Sequence, residues 1–149
     1  ARAFVGGSGL AARYVYDLVD GETDPLDADN PLVFMAGPLV GTAMFSAGRH
    51  SVCALSPLTG RWGEANAGGF FGAELRFAGY DGLIITGRAG QPVWLSLSEG
   101  HATLRDASDL WGLDCYSAQR RVKDTLGQPE ARAFHAVVDT LRERYCKGV

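Results

Sequence analysis

Two side chains and a short glycine turn offer the clearest chemistry in this sequence. Arg49 supplies a planar, permanently charged fork suited to a phosphate or a flat heterocycle. Asn66 supplies donors and an acceptor for heterocycle edges. Ala67-Gly68-Gly69 follows directly, with backbone amides that few side chains obstruct. Such amides can meet an anion at the start of a helix. Together these residues suit a flat, polar, phosphorylated cofactor lying across the backbone. They suit equally well a glycine-rich turn packed into a core, and spacing alone does not choose between the two.

Other chemistry is thinner. There is no GxxxxGK[ST] phosphate loop. Gly6-Gly7-Ser8-Gly9 lacks dinucleotide-fingerprint spacing and reads first as a turn opening a helix, second as an anion site. His50, His101 and His135 are scattered, with no carboxylate or cysteine at metal-ligand spacing, so they read as strand or surface residues. Cys115 falls in the first turn of a predicted helix, where a thiolate gains some stabilisation, but it reads first as a small half-buried residue. Asp106, Asp109 and Asp114 could in principle share a divalent ion, and solvated caps explain them as well.

These residues need elements to hold them. The glycine turn at Gly6 opens a helix with Leu10, Tyr14 and Leu18 on one face beside Ala11, Val15 and Val19. Asp24-Pro25 and Asn30-Pro31 bracket a loop. Leu32–Ala36 and His50–Leu55 read as strands. Gly68–Ala78 reads as a short helix with Phe71, Leu75 and Ala78 inward. Leu83–Thr86, Val93–Leu97 and Ala102–Arg105 read as a three-stranded meander. Asp114 caps a helix with a stripe of Ala118, Val122 and Leu126, and Gly127 ends it. Ala133–Val138 reads as a strand, and Asp139 starts a last short helix. Runs of strands with helices between them predict an α+β fold, with two packed β-sheets and short flanking helices.

Composition bounds the rest. The 149 residues are 46% hydrophobic and 21% charged, a globular balance with enough chain for a core. A net charge of −3 disfavours nucleic-acid binding, and no apolar run is long enough to span a bilayer. Residues 37–80 hold only five charged side chains, while residues 37–90 hold twelve of the twenty glycines. Such a stretch implies backbone packed closely against something. Three cysteines, Cys53, Cys115 and Cys146, are odd in number and widely spaced, which predicts no disulfide and a reducing, cytoplasmic setting. The chain begins at Ala1 and stops after Lys147-Gly148-Val149, so it reads as part of a longer protein.

From about Val5 to Val138 the motifs resemble the N-terminal domain of the tungsten-containing aldehyde ferredoxin oxidoreductase family. The resemblance is carried by Gly6-Gly7-Ser8-Gly9-Leu10, Asp24-Pro25-Leu26 and Gly37-Pro38-Leu39, then by Ser56-Pro57-Leu58-Thr59-Gly60. Asn66-Ala67-Gly68-Gly69-Phe70-Phe71-Gly72 and Arg105-Asp106-Ala107-Ser108 before Leu110-Trp111-Gly112 complete it. Long motifs in the right order make it specific. It implies a base of two β-sheets carrying a tungsten (or molybdenum) bis-pterin cofactor, whose phosphates a magnesium ion bridges. It also implies that Arg49 and Asn66 contact the pterin, that the Asn66 carbonyl joins the magnesium shell, and that Ala67, Gly68 and Gly69 line the same turn.

The implied activity is oxidation of small aldehydes to carboxylates, with electrons passing through a 4Fe–4S cluster to ferredoxin or an iron–sulfur subunit. A homo-oligomer is expected. The cluster cysteines are not in this sequence, nor is the family's second pterin-contacting stretch. Residues 1–138 are therefore expected to form an incomplete tungstopterin-binding domain, inactive in isolation. Residues 139–149 resemble a later helix of the family, just ahead of the cluster cysteines. Two other roles remain: a non-catalytic pterin-binding or assembly subunit, and a relative that reduces aromatic thioesters.

Overall fold

The computed structural model describes residues 3–129, and the expected strand at Ala133–Val138, the helix from Asp139 and the boundary at 138/139 lie outside them. The elements run α1 (Gly7–Leu18), β1 (Leu32–Ala36), β2 (His50–Leu55), β3 (Trp62–Ala67), α2 (Phe71–Phe77), β4 (Gly82–Ile85), β5 (Val93–Ser98), β6 (His101–Asp106) and α3 (Cys115–Leu126). They form an α+β fold with a four-stranded sheet, ordered β3-β2-β1-β4, and a two-stranded sheet, β5-β6. The chain divides into two compact units. One holds the described residues up to Gly90 with Trp94–Arg105; the other holds Gln91–Val93 and the described residues from Asp106 onward.

In the larger unit, the apolar run Leu-Val-Phe-Met-Ala makes β1 an inner strand, antiparallel to both neighbours. Side chains alternate between the two faces of the sheet. Val33, Met35 and Cys53 form a buried core with Ala11 and Val15 of α1. Ala11 and Val15 are one turn apart on the helix, so both point at the sheet. Tyr14 and Leu18, on the same apolar stripe of the helix, are exposed. The opposite sheet face carries Phe34 and His50, whose rings meet Phe71 of α2 at centroid distances of 5.6 and 4.6 Å.

Two strand expectations change. β4 does not join β5 and β6 in a meander; it pairs with β1, Val33 opposite Ile84 and Phe34 opposite Leu83. Gly82 permits that pairing, because a side-chain carbon there would lie 2.6 Å from the Phe34 carbonyl oxygen. β3 is an additional strand beyond those the sequence predicts, and it pairs along its whole length with β2. The β5-β6 hairpin meets the end of α2 through a hydrogen bond of 2.9 Å from the Gly100 N–H to the Ala78 carbonyl.

The smaller unit is organised by α3. Asp114 caps it as expected, accepting from the N–H groups of Tyr116 and Ser117, and Gly127 closes it at φ 63°. Ala118 and Val122 form its buried stripe, and Ala107 is buried within the same unit.

Candidate functional site

β2 and β3 bring the two expected side chains together. His50 pairs with Ala67 and Ser51 with Asn66. Alternation therefore puts Ser51 and Asn66 on one sheet face, with Arg49, one residue ahead of the strand, beside them. Arg49 grips Asn66 twice. Its Nε donates to Asn66 Oδ1, and its Nη2 donates to the Asn66 carbonyl oxygen at 2.9 Å. Both residues are exposed. Among the described residues no carboxylate forms an ion pair with Arg49; the arginines that do pair are Arg13, Arg76 and Arg121. Among the described residues, the fixed guanidinium therefore stands at the surface without an ion-pair partner.

The glycine turn lies against this pair. A side-chain carbon on Gly68 would come within 3.6 Å of Arg49 Nη1, so glycine leaves that edge of the fork uncovered. Gly69 adopts φ 89°, a left-handed conformation that L side chains resist. The preceding turn packs close by, because a carbon on Gly48 would sit 3.3 Å from the Gly69 carbonyl oxygen. The turn differs from expectation in one respect. Ala67 ends β3, and α2 starts only at Phe71, so Ala67-Gly68-Gly69 is a strand-to-helix link and not the first turn of the helix.

The other face of the same strands holds His50. It is 7% exposed, and its Nδ1 has no hydrogen-bond partner among the described residues. Burial, with the neighbouring Arg49 charge, pushes its pKa below the ordinary 6.5 and favours neutral imidazole. Behind Asn66, Ser51 Oγ lies 3.5 Å from Glu64 Oε1. Burial, and secondarily Glu64, pushes the Cys53 thiol up to about 11. Neither the unpartnered His50 Nδ1 nor the Glu64 contact has a local signal in the sequence. One signal for β3 was present: Trp62, Glu64 and Asn66 alternate with Gly63, Ala65 and Ala67, a period of two.

The remaining candidates separate. His101 is exposed in β6, with Nδ1 3.0 Å from the Glu99 carbonyl, and His135 lies outside the described residues. Asp106 accepts from Ser108, Asp109 faces Arg121 at 3.6 Å, and Asp114 caps α3. Each carboxylate is engaged locally, and among the described residues no group of three or more His, Cys, Asp or Glu is placed to hold a metal. Cys115, expected half-buried, is exposed; it and Cys53 are both thiols, while Cys146 is outside the described residues. No helix among the described residues is long and apolar enough to cross a membrane.

These donors fit a cofactor that brings its own metal ligands. Arg49 presents a charged fork suited to an anion, and the Asn66 carbonyl accepts one of its hydrogen bonds at 2.9 Å.

Residues 1–138 match the family model "Aldehyde ferredoxin oxidoreductase, N-terminal domain". The chain is 39% identical over 132 residues to a tungsten-containing aldehyde ferredoxin oxidoreductase of Pyrococcus furiosus, covering 89% of this chain and 22% of that protein. It is 32% identical over 115 residues to an aliphatic sulfonate oxidoreductase, WOR-like subunit, of the same organism, covering 75% of this chain and 18% of that one. Among solved structures, the active-site complex BamBC of benzoyl coenzyme A reductase matches with a TM-score of 0.82 and 34% identity, over 85% of this chain and 19% of that chain. The chain therefore spans about a fifth of the length of the relatives it matches.

Proposed function

The chain belongs to the aldehyde ferredoxin oxidoreductase family, as its N-terminal domain, and from that premise we propose that it is the cofactor-binding domain of a tungsten or molybdenum bis-pterin oxidoreductase. The observation that carries the reading is Arg49, held by Asn66 and left without a carboxylate partner among the described residues, at the edge of a glycine turn. Such a group binds an anion through charge-assisted hydrogen bonds. Arg49 and Asn66 bind and orient the pterin. The backbone of Ala67, Gly68 and Gly69 lets it approach closely, and the Asn66 carbonyl enters the magnesium shell.

When bound, the cofactor supplies the two-electron chemistry and the sulfur ligands of its metal. The protein residues provide position and charge. Residues 1–138 make up this domain, and 139–149 belong to a later segment of the family. We assign the complete protein oxidation of small aldehydes, with a 4Fe–4S cluster passing electrons to ferredoxin. A reducing, cytoplasmic setting fits the thiols of Cys53 and Cys115.

A second reading draws support from the likeness to the benzoyl coenzyme A reductase complex. There the complete protein reduces an aromatic thioester on the same platform. Metal and pterin analysis of the purified full-length protein tests the platform: near-stoichiometric tungsten or molybdenum with pterin is expected, and their absence rejects it. Turnover of aldehydes against that of benzoyl-CoA, each with a viologen as electron partner, separates the two substrates.

A further inference from the structure

We infer that the outer edge of the β5-β6 hairpin is a docking site for a β-strand of this same polypeptide, supplied from beyond residue 149. The inference is independent of the cofactor reading and concerns how the domain joins the rest of its protein.

The hairpin is unfinished as a sheet. Glu99 and Gly100 link its strands with φ of 50° and 76°, the conformation of a tight two-residue turn. That link sets Ser98 opposite His101, and so Leu97 opposite Ala102, Leu95 opposite Leu104 and Trp94 opposite Arg105. Two contacts agree with this register. The Arg105 guanidinium lies 5.4 Å from the Trp94 ring centre, and the Ala107 N–H donates to the Pro92 carbonyl at 2.9 Å. Alternation then gathers Leu95, Leu97, Ala102 and Leu104 on one face. Every residue of β6 is exposed, Leu104 by 69%. Two strands alone are only marginally stable in water, and an apolar face calls for a third strand or a packed element.

The backbone points the same way. In an antiparallel pair, alternate residues turn their N–H and C=O groups away from the partner strand. The register gives that orientation to Ala102 and Leu104, whereas Thr103 and Arg105 face β5. Free edges are commonly blunted by lysine or proline. β6 has neither, and its arginine is turned onto Trp94.

The occupant follows from length. The chain matches an N-terminal domain and spans about a fifth of its relatives, which leaves the greater part of such a protein to follow it. A strand supplied in cis docks at an effective concentration of about millimolar over a short linker. A separate partner has no such advantage. The added strand would carry apolar side chains at every second position, to meet Leu104 and its neighbours on that face.

The test uses the full-length protein. Hydrogen exchange, resolved to single amides by mass spectrometry, reads the edge in the wild type. The Ala102 and Leu104 amides should exchange about a hundredfold or more slower than unstructured peptide, as hydrogen-bonded strands do. Leu104→p-benzoylphenylalanine should, on irradiation, cross-link to a peptide from beyond residue 149 of the same molecule. Exchange of both amides within about tenfold of the unstructured rate leaves the edge unpaired and overturns the proposal. Protection lost on dilution, with cross-links between two molecules, gives the edge to a second copy and also overturns it. Cross-links confined to residues 1–149 do the same. The wild-type exchange needs no variant to fold, and neither readout depends on tungsten or pterin content.

Discussion

Asn30 clasps the backbone of Leu55. Its Nδ2 donates to the Leu55 carbonyl at 3.0 Å, and its Oδ1 accepts from the Leu55 N–H at 3.0 Å. The same Nδ2 also donates to the Pro25 carbonyl at 2.7 Å. One half-buried amide thus serves the last residue of β2 as a neighbouring strand would, and ties the Asp24–Pro31 loop to the sheet.

Removing that clasp should cost stability. We predict that Asn30→Ala destabilises by about 1–3 kcal/mol, because main-chain groups lose their partners in a partly buried place. Asn30→Asp should be at least as damaging, since a carboxylate has no hydrogen to offer the Pro25 and Leu55 carbonyls. Chemical denaturation of the two variants beside wild type measures both; an unchanged midpoint for Asn30→Asp would contradict the geometry.

Arg49→Ala should lower the tungsten and pterin content of the full-length protein and leave the apo fold intact, since Arg49 is exposed. Charge-assisted hydrogen bonds of the kind lost are each worth about 1.5–3 kcal/mol. Arg49→Lys should recover part of the content, because an ammonium lacks the planar fork. Asn66→Leu should also weaken loading. Metal and pterin analysis beside thermal unfolding of the apo forms checks this, and full occupancy in both Arg49→Ala and Asn66→Leu would remove these residues from the site.

His50 predicts a loss of stability on mild acidification. Its folded pKa is depressed by burial, with the Arg49 charge adding to the effect, so the unfolded chain binds the proton more readily. The contribution of neutral His50 is full above the ordinary value of 6.5 and is lost as pH falls from there through the lower folded value. His50→Phe should flatten that part of the profile. Unfolding free energies measured from pH 7.5 down to about 5, the span over which an ordinary histidine charges, decide it; an identical slope in His50→Phe would assign the loss to other groups.

The two described thiols should react at very different rates. Cys53 is 1% exposed, and burial, with Glu64 adding to it, pushes its thiol up to about 11. Cys115 is exposed in the first turn of α3. Alkylation needs thiolate and access. In the native protein near pH 8, the pH at which an ordinary thiol is partly ionised, iodoacetamide should mark Cys115 well before Cys53, and denaturation should remove the difference. Peptide mass mapping over time reads this, and early labelling of Cys53 would place it outside the core.

The elements legible in the sequence were those whose signals are local. The apolar run at Leu32–Ala36, the cap Asp114 with its stop at Gly127, and the helix opened by the glycines at 6–9 all fell where composition and spacing put them. Each depends on residues within a few positions of one another, so the signal survives without knowledge of the fold. The family was legible for a related reason: its motifs are runs of adjacent residues, and order along the chain is all they need.

What tertiary structure alone decided was who lies beside whom. β3 is mostly exposed, with small residues at every second position, and so lacked the apolar run that marks β1. β4 was legible as a strand, but its partner was not, because pairing with β1 across some fifty residues leaves no mark in either segment. Arg49 and Asn66 are each legible as polar residues in the sequence; that one grips the other's main chain follows from the register His50 to Ala67, seventeen residues apart. The orphaned Nδ1 of His50 belongs with these, since burial by Phe71 on a different element creates it. Side-chain alternation assigns faces within a strand, but only the register between strands turns those faces into a site.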